Sequence, residues 1–594
     1  MMHRRSGIRR WLALLLLLLL LAPLPQAAAV SVDDILNMAR MGGADLAVRM
    51  LEERQQKLEP TDDEWMRLER ERLEIHRQGE DWAAITRRVA ALPDGLPGRL
   101  RNEAFTLKAE AWLRRHDGAA ARRVLRTLLW DPEIDAGDVD TARWRRMVIR
   151  SYLADRNYPD ADITIQRYRH DYGGDEPELR RWQGRVLLNA GRPADAIELL
   201  TGLEHAEARL LLLRARLAAR EAEPAAILAE AREFAAQGDL QPLLSRDGWL
   251  VSAQAAARAS EPEQLIAGWE QALARSFNQP APETMFTPPV NPWQAYLTLG
   301  TTLGNEAGLV IGEDAGWFAR VEARAGEVQH QRALLAVVAW RSPDAAASQR
   351  AHRMFIDSFG DDDAAVYTVN ALYREAPLPA GETPPAWVYH HLVDALLDRG
   401  EIGAASGLAR HLEQPPEGGD RVEWDMRRAR VLVLAGDVPA GAEVLAQLLD
   451  EVAEVPSVSL DRLMQVLFDM QALGYHERSL ALFEAVLDLG VSRRQRREIM
   501  FWKAESYSEL DEHEEAARHY LISAVLDDPA GGSQWAQAAR FHAAEALVEA
   551  GMLADAARMY RQLLRTADDP SRRAVLGSAL QRVEAQLRDH SRGD

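Results

Sequence analysis

RREIMFWKAESYSELDEHEEAARHYLISAVLDDP, residues 496–529, decides the fold of this chain. Ala504 and Tyr507 fall three apart on one helical face, and Ala516 and Tyr520 fall four apart on another, beyond a turn at Asp511. Small residues stand where two helices must approach closely, and aromatic residues where the interface needs volume. The stretch therefore predicts a helix-turn-helix pair. One such pair leaves an apolar face uncovered and needs neighbours of its own kind.

Those neighbours can be found with the small residue of the second helix as a ruler. It recurs at Ala47, Ala84, Ala121, Ala161 and Ala196 in the first half and at Ala405, Gly441, Ser479, Ala516 and Ala556 in the second, in steps of 35 to 40 residues. Seven of these ten units carry a glycine five positions earlier, at Gly42, Gly79, Gly191, Gly400, Gly436, Gly474 and Gly551. A glycine there supplies the positive φ that ends a helix tightly. Small residues also mark the middle of first helices, at Ala109, Gly184, Ala429, Ala504 and Ala544.

This pattern resembles the tetratricopeptide repeat (TPR), a helix-turn-helix unit with a 34-residue period. The resemblance implies an all-α fold, an α-solenoid of stacked antiparallel helix pairs, here in two halves. Each pair completes its core against the next, so stability sums over nearest neighbours. The stretch SRRAVLGSALQRVEAQLRDH after Asp569-Pro570 is expected to be the terminal capping helix, with Ser571 as its N-cap.

At the N-terminus, MMHRRSGIRR precedes an apolar run from Trp11 to Ala22, broken by Pro23 and Pro25, and Ala27-Ala28-Ala29 offers a small-residue cleavage site. Spanning a bilayer takes about 20 apolar residues, so the stretch reads as a secretory signal peptide cleaved after Ala29. No stable membrane insertion is then expected, and the exported protein belongs in a bacterial periplasm. Cleavage removes four arginines and no acid, taking the formal net charge from −20 to −24. Such a chain repels nucleic acid overall. With no cysteine, disulfides, thiol nucleophiles and lipoprotein attachment are excluded.

The domain reading is a signal peptide at 1–29, an N-terminal solenoid at 30–275, an irregular Pro/Gly-interrupted helical segment at 276–385, and C-terminal repeats with a capping helix at 386–594. Between Ala196 and Ala405 the ruler is faint. Helical patterns continue through 206–238 and 250–277, the second interrupted near Glu261-Pro262. NQPAPETMFTPPVNPW then brings prolines at 280, 282, 288, 289 and 292, through which no helix runs. It reads as an extended loop or linker dividing the two halves.

Searches for catalytic chemistry end in plainer readings. His513 and His519 are six apart, not the i, i+4 of a zinc helix, and adjacent His390 and His391 point in different directions. Gly300 to Gly308, GTTLGNEAG, has neither a P-loop lysine nor dinucleotide spacing. Glu505-Ser506-Tyr507 resembles the catalytic start of the soluble lytic transglycosylases, but it lies inside the best repeat and no Gly-Leu-Met-Gln stretch follows. No enzyme activity, cofactor or metal is expected.

In TPR proteins the first helix of each pair lines an inner groove. Carrying those positions over implies a basic N-terminal groove of Arg143, Arg146, Arg150, Arg181, Arg185 and Asn189, and an acidic C-terminal one of Glu498, Glu505, Glu509, Glu545 and Glu549. Arginine suits carboxylate capture because its planar fork bonds at two points; its plainer role is to neutralise acids such as Glu178, Asp155 or Asp160. The resulting expectation is a non-enzymatic scaffold or adaptor whose partners are proteins or peptides, acidic ones included. The alternatives are a glycan-binding accessory of cell-wall or exopolysaccharide machinery, using Trp293, Trp317 and Trp340 to stack on sugars, and an enzyme with its site in the middle segment.

Overall fold

The computed structural model describes residues 31–93, 95–131, 134, 137–379, 382–452, 457–526 and 533–593, and the side chains of all of these except 457, 458 and 589–593. The expected signal peptide, 1–29, lies outside the described residues. Among those described, the chain forms thirty α-helices, one π-helical turn at Ala371–Glu375, and no strand. It divides into two compact units, Met1–Ala259 with Pro282–Thr287, and Ser260–Ala281 with Pro288–Asp594.

The first unit is a stack of antiparallel hairpins. Its pairs are Val32–Arg40 with Ala44–Gln55, Asp63–Gln78 with Trp82–Ala90, Gly98–Arg114 with Gly118–Trp130, Asp138–Ala154 with Tyr158–Tyr172, Pro177–Asn189 with Pro193–Leu200, and Ala206–Ala219 with Pro224–Ala235, followed by Pro242–Ala259. Each hairpin closes its core with the next. Ala109, Ala121 and Leu125 of one pair pack with Trp144 and Met147 of its neighbour, and Ile149, Ala161 and Ile165 of that pair pack in turn with Leu179 and Trp182. This is the nearest-neighbour core that the repeat period predicts.

All ten ruler residues are buried. The reason is closeness of approach: a Cβ on Gly441 would stand 2.6 Å from Val433 Cγ2 and 2.8 Å from the Ala429 carbonyl, and one on Gly184 would stand 2.7 Å from the Leu200 side chain. The turn before each ruler residue has positive φ whether or not it is glycine. Gly42, Gly191, Gly400, Gly436, Gly474 and Gly551 take it, and so do His116, Arg156 and Asp511 in units that lack the glycine. Gly79 is the exception among the expected turn glycines, since its φ is −78° and Glu80 carries the positive value instead. In three of the units without a left-handed glycine, an Asx residue follows the turn and caps the second helix. Asp81 accepts from Ala84 N at 2.8 Å, Asp117 from Ala120 N at 2.7 Å, and Asn157 from Asp160 N at 3.4 Å.

In the second unit the C-terminal repeats share two cores. One runs from Ala429 through Leu463 and Phe483 to Ile499, the other from Ala504 through Tyr520, Ala544 and Tyr560 to Leu576 and Val583. The capping helix spans Pro570–Gly593. Its cap is Asp569, whose carboxylate accepts from Ser571 N and Arg572 N at 3.3 and 3.1 Å, and not Ser571 as expected. Asp569 can cap because Pro570 takes the first helical position, where its missing N–H costs nothing.

The Gly-rich stretch is itself helical. Gly300 and Gly304 lie on one face of Pro292–Glu306, where an added Cβ would meet the Ala333 carbonyl at 2.1 Å and the Trp317 ring at 2.3 Å. Gly300 and Gly304 serve helix packing. Trp293, Trp317 and Trp340 are all buried, Trp293 giving its Nε1 hydrogen to the Leu372 carbonyl at 2.8 Å and Trp317 to that of Val310 at 3.0 Å. They are core residues and present no face for sugar stacking.

Candidate functional site

Four first helices of the first unit carry the candidate groove: Asp138–Ala154, Pro177–Asn189, Ala206–Ala219 and Pro242–Ala259. Measured back from the positive-φ residue that ends each of them, Arg150, Arg185, Arg214 and Gln254 hold the same place, six residues before Arg156, Gly191, Arg220 and Ser260. These four helices thus offer one polar side chain each at a common level.

The expected arginines separate into two groups. Arg143 is exposed and Arg150 half-buried, and neither has an ion pair with a described residue. Arg146 lies 5.9 Å from the Tyr168 ring and 3.9 Å from Glu176. Arg181 pairs with Glu207 at 3.0 Å and with Glu178 at 4.0 Å, and Arg185 reaches the same Glu207 at 3.4 Å. Of the acids expected to neutralise the groove arginines, Asp155 is bound to Arg122 at 2.6 Å and Asp160 to Asn157 at 2.8 Å. Arg181, Arg185 and Asn189 are the expected residues that come together in one site.

What fills that site is a piece of the same chain. Pro282–Thr287 lies in the first unit, and its Glu283, only 6% exposed, forms an ion pair with Arg185. The Met285 carbonyl accepts from Arg214 Nε and, at 3.1 Å, from Gln254 Nε2, while Asn189 Nδ2 approaches the Met285 sulfur at 3.6 Å. Met285 and Phe286 are buried. Backbone bonds from Phe286 N to the Glu283 carbonyl, 2.9 Å, and from Thr287 N to the Thr284 carbonyl, 3.3 Å, fold the segment into a turn. Glu283, Met285 and Phe286 face inward as a result, and Thr284 and Thr287 face solvent. Three successive repeats therefore read one short peptide through a carboxylate, a backbone carbonyl and two apolar side chains.

The electrostatics suit an anionic ligand. Burial, and then the charge of Arg258, lower Arg214 to about 10, so it remains a cation at neutral pH. Its Nη1 has no hydrogen-bond partner. Asp247 at the groove wall is pushed up by burial, against the opposing pull of Arg246, Arg185 and Arg156. Next to Phe286 an open cleft of about 720 Å³ continues between Arg181, Glu207, Arg209, Leu244 and Asp247, so the segment leaves part of the groove unfilled.

Sequence reasoning missed Arg214, Gln254, Glu207 and Glu283. The signal was present but unlit: Arg220 and Ser260 take the positive-φ turn without being glycine, so the ruler had no mark from which to count back six.

In a cleft of the second unit, lined by Trp424, Arg427, Arg430 and Arg462, each arginine has an acid: Asp394 at 2.6 Å, Asp469 at 2.9 Å, and Glu423. Farther along, the expected acidic positions have local partners. Glu505 accepts from Tyr520 OH at 2.6 Å, Glu545 approaches His542 at 3.2 Å, and Glu498 pairs with Arg494 at 3.1 Å; Glu509 and Glu549 are exposed. Among the described residues no cluster of His, Asp and Glu has the arrangement of a metal site.

No family model and no curated protein matches the chain. Among solved structures it is similar to the APC/C hetero-tetramer Cut9–Hcn1 (12% identity, 93% of this chain and 97% of that one, TM-score 0.27) and to yeast Tom70 (10%, 82% and 96%, 0.22). It is also similar to the maize pentatricopeptide repeat protein PPR10 (13%, 96% and 88%, 0.29). By its own paired helices, buried small residues and recurrent left-handed turns, the chain is a helical-repeat protein with a TPR-like fold.

Proposed function

We propose that the chain is an exported, non-enzymatic scaffold of a bacterial periplasm that binds protein partners through the basic groove of its first unit. One observation carries this reading: a turn of peptide is held there by side chains from three successive helices of the stack. A formal net charge of −20 favours a protein ligand over nucleic acid. Arginine at the shared repeat position favours an acidic one, since a hydrogen bond to a charged group contributes roughly 1.5–3 kcal/mol.

The test is capture of partners from an envelope extract by the tagged protein and by its Arg150→Gln/Arg185→Gln variant. Capture should fall sharply in the variant and weaken with salt, as partly exposed charge pairs do, while helix content stays constant. Undiminished capture by the variant would move the binding site elsewhere.

A further inference from the structure

We propose that residues 282–287 are an internal ligand: the groove is built for a protein segment bearing a carboxylate followed at the second and third positions by large apolar side chains, and a partner of that kind must displace the chain's own copy. This rests on the groove being the partner site and adds to it the chemistry of the partner.

The segment looks like a bound peptide in each of its contacts. Its carboxylate is buried against Arg185, its Met285 carbonyl is taken by Arg214 and Gln254, and its Met285 and Phe286 side chains are buried. A linker that only joined two helices would have no reason to bury a glutamate, because an unpaired carboxylate out of water is costly. Pro282 before Glu283 restrains the backbone and lowers the entropy lost on docking. The fit is also incomplete. The cleft of about 720 Å³ beside Phe286 and the unpartnered Arg214 Nη1 and Gln254 Oε1 are unsatisfied by the internal segment and available to a longer one.

Competition follows from tethering. A segment on a short tether has an effective concentration on the order of millimolar, and an outside ligand's apparent affinity falls with the fraction of groove left open. Weakening the internal copy should therefore strengthen the outside one.

The experiment uses a fluorescein-labelled peptide of residues 279–290, QPAPETMFTPPV, titrated into the purified protein, Glu283→Gln, and Met285→Ala/Phe286→Ala. The peptide should bind both variants about tenfold or more tighter than the parent. A peptide with Gln in place of its Glu should bind them about tenfold weaker than the original. Because Glu283→Gln removes a charge and leaves the apolar anchors, it decides the matter even if the double alanine variant fails to fold. Equal affinity across parent and variants, or no saturable binding to any, would overturn the proposal. Capture of envelope proteins that the peptide fails to compete away would keep the scaffold reading and discard the internal ligand. Tight peptide binding by Glu283→Gln without any captured partner would do the reverse.

Discussion

The same repeat position is used in opposite senses in two runs of repeats, one from each unit. Six residues before the turn, the last repeats of the first unit have Arg150, Arg185, Arg214 and Gln254 and the last repeats of the second have Phe468, Glu505 and Glu545, while Glu110 earlier in the first unit and Arg430 earlier in the second hold that place with the opposite sign. Arg185 and Arg214 are engaged by residues about 70 to 100 positions away in sequence, Glu283 and Met285. Glu505 and Glu545 are engaged by the nearby Tyr520 and His542. A helical repeat thus separates its duties: the buried small residue sets the stacking and is alike throughout, while the groove residue is free to differ in charge and to recruit what the stack binds.

The largest effect that would break this contrast is charge reversal at the shared position. Arg185→Glu sets a carboxylate beside Glu207 and Glu283, and breaking a buried ion pair costs about 3–5 kcal/mol. The segment should leave the groove, seen as faster hydrogen exchange and protease cleavage across 282–287. Glu505→Arg loses one hydrogen bond, from Tyr520, and should lower stability by only about 1 kcal/mol. Equal losses in the two variants would mean that both grooves are ordinary surface.

The stacking should behave alike on both sides. Ala161→Leu in the first unit and Ala516→Leu in the second each overpack a fully buried site, at a cost of about 1–3 kcal/mol. Thermal unfolding of either variant indistinguishable from the parent would remove that site from the repeat register.

In the C-terminal repeats a pH dependence is expected from His542. The hydrogen bond to Glu545 raises His542 above its ordinary value, against burial. The protonated form is therefore favoured by the fold, so its contribution is present below about 6.5, the unfolded histidine value, and is lost as pH rises through the folded one. Glu545→Gln should flatten the change in melting temperature across that window. A slope unchanged by the substitution would assign it to another group. The smallest effect is expected from Arg143→Gln, within about 0.5 kcal/mol, with no change in exchange at 282–287, because Arg143 is exposed and without a described ion-pair partner.

Much of the architecture was legible in the sequence because a helix hairpin is a local object. Ala504, Ala516 and the spacing of their counterparts report contacts made within one or two hairpins. The middle of the chain was harder for the same reason: Gly300 and Gly304 are small because of helices more than ten residues on, and Arg220 and Ser260 turn the chain without announcing it. Arg181 and Arg185 meet at Glu207, and Arg185 and Asn189 reach residues 283–285, whereas Arg143, Arg146 and Arg150 have other surroundings, since a repeat position gives a level on the helix and says nothing of which acid stands nearby.

By itself the sequence determined the helix pairs marked by the ten ruler residues and their register, which follow from periodicity and from residues close in the chain. Only the tertiary structure decided that Glu283, Met285 and Phe286 occupy the groove of the first unit. Their proline-rich stretch looks like a linker because nothing local stabilises it, and what does hold it is a set of side chains from three helices that come together only once the repeats have stacked.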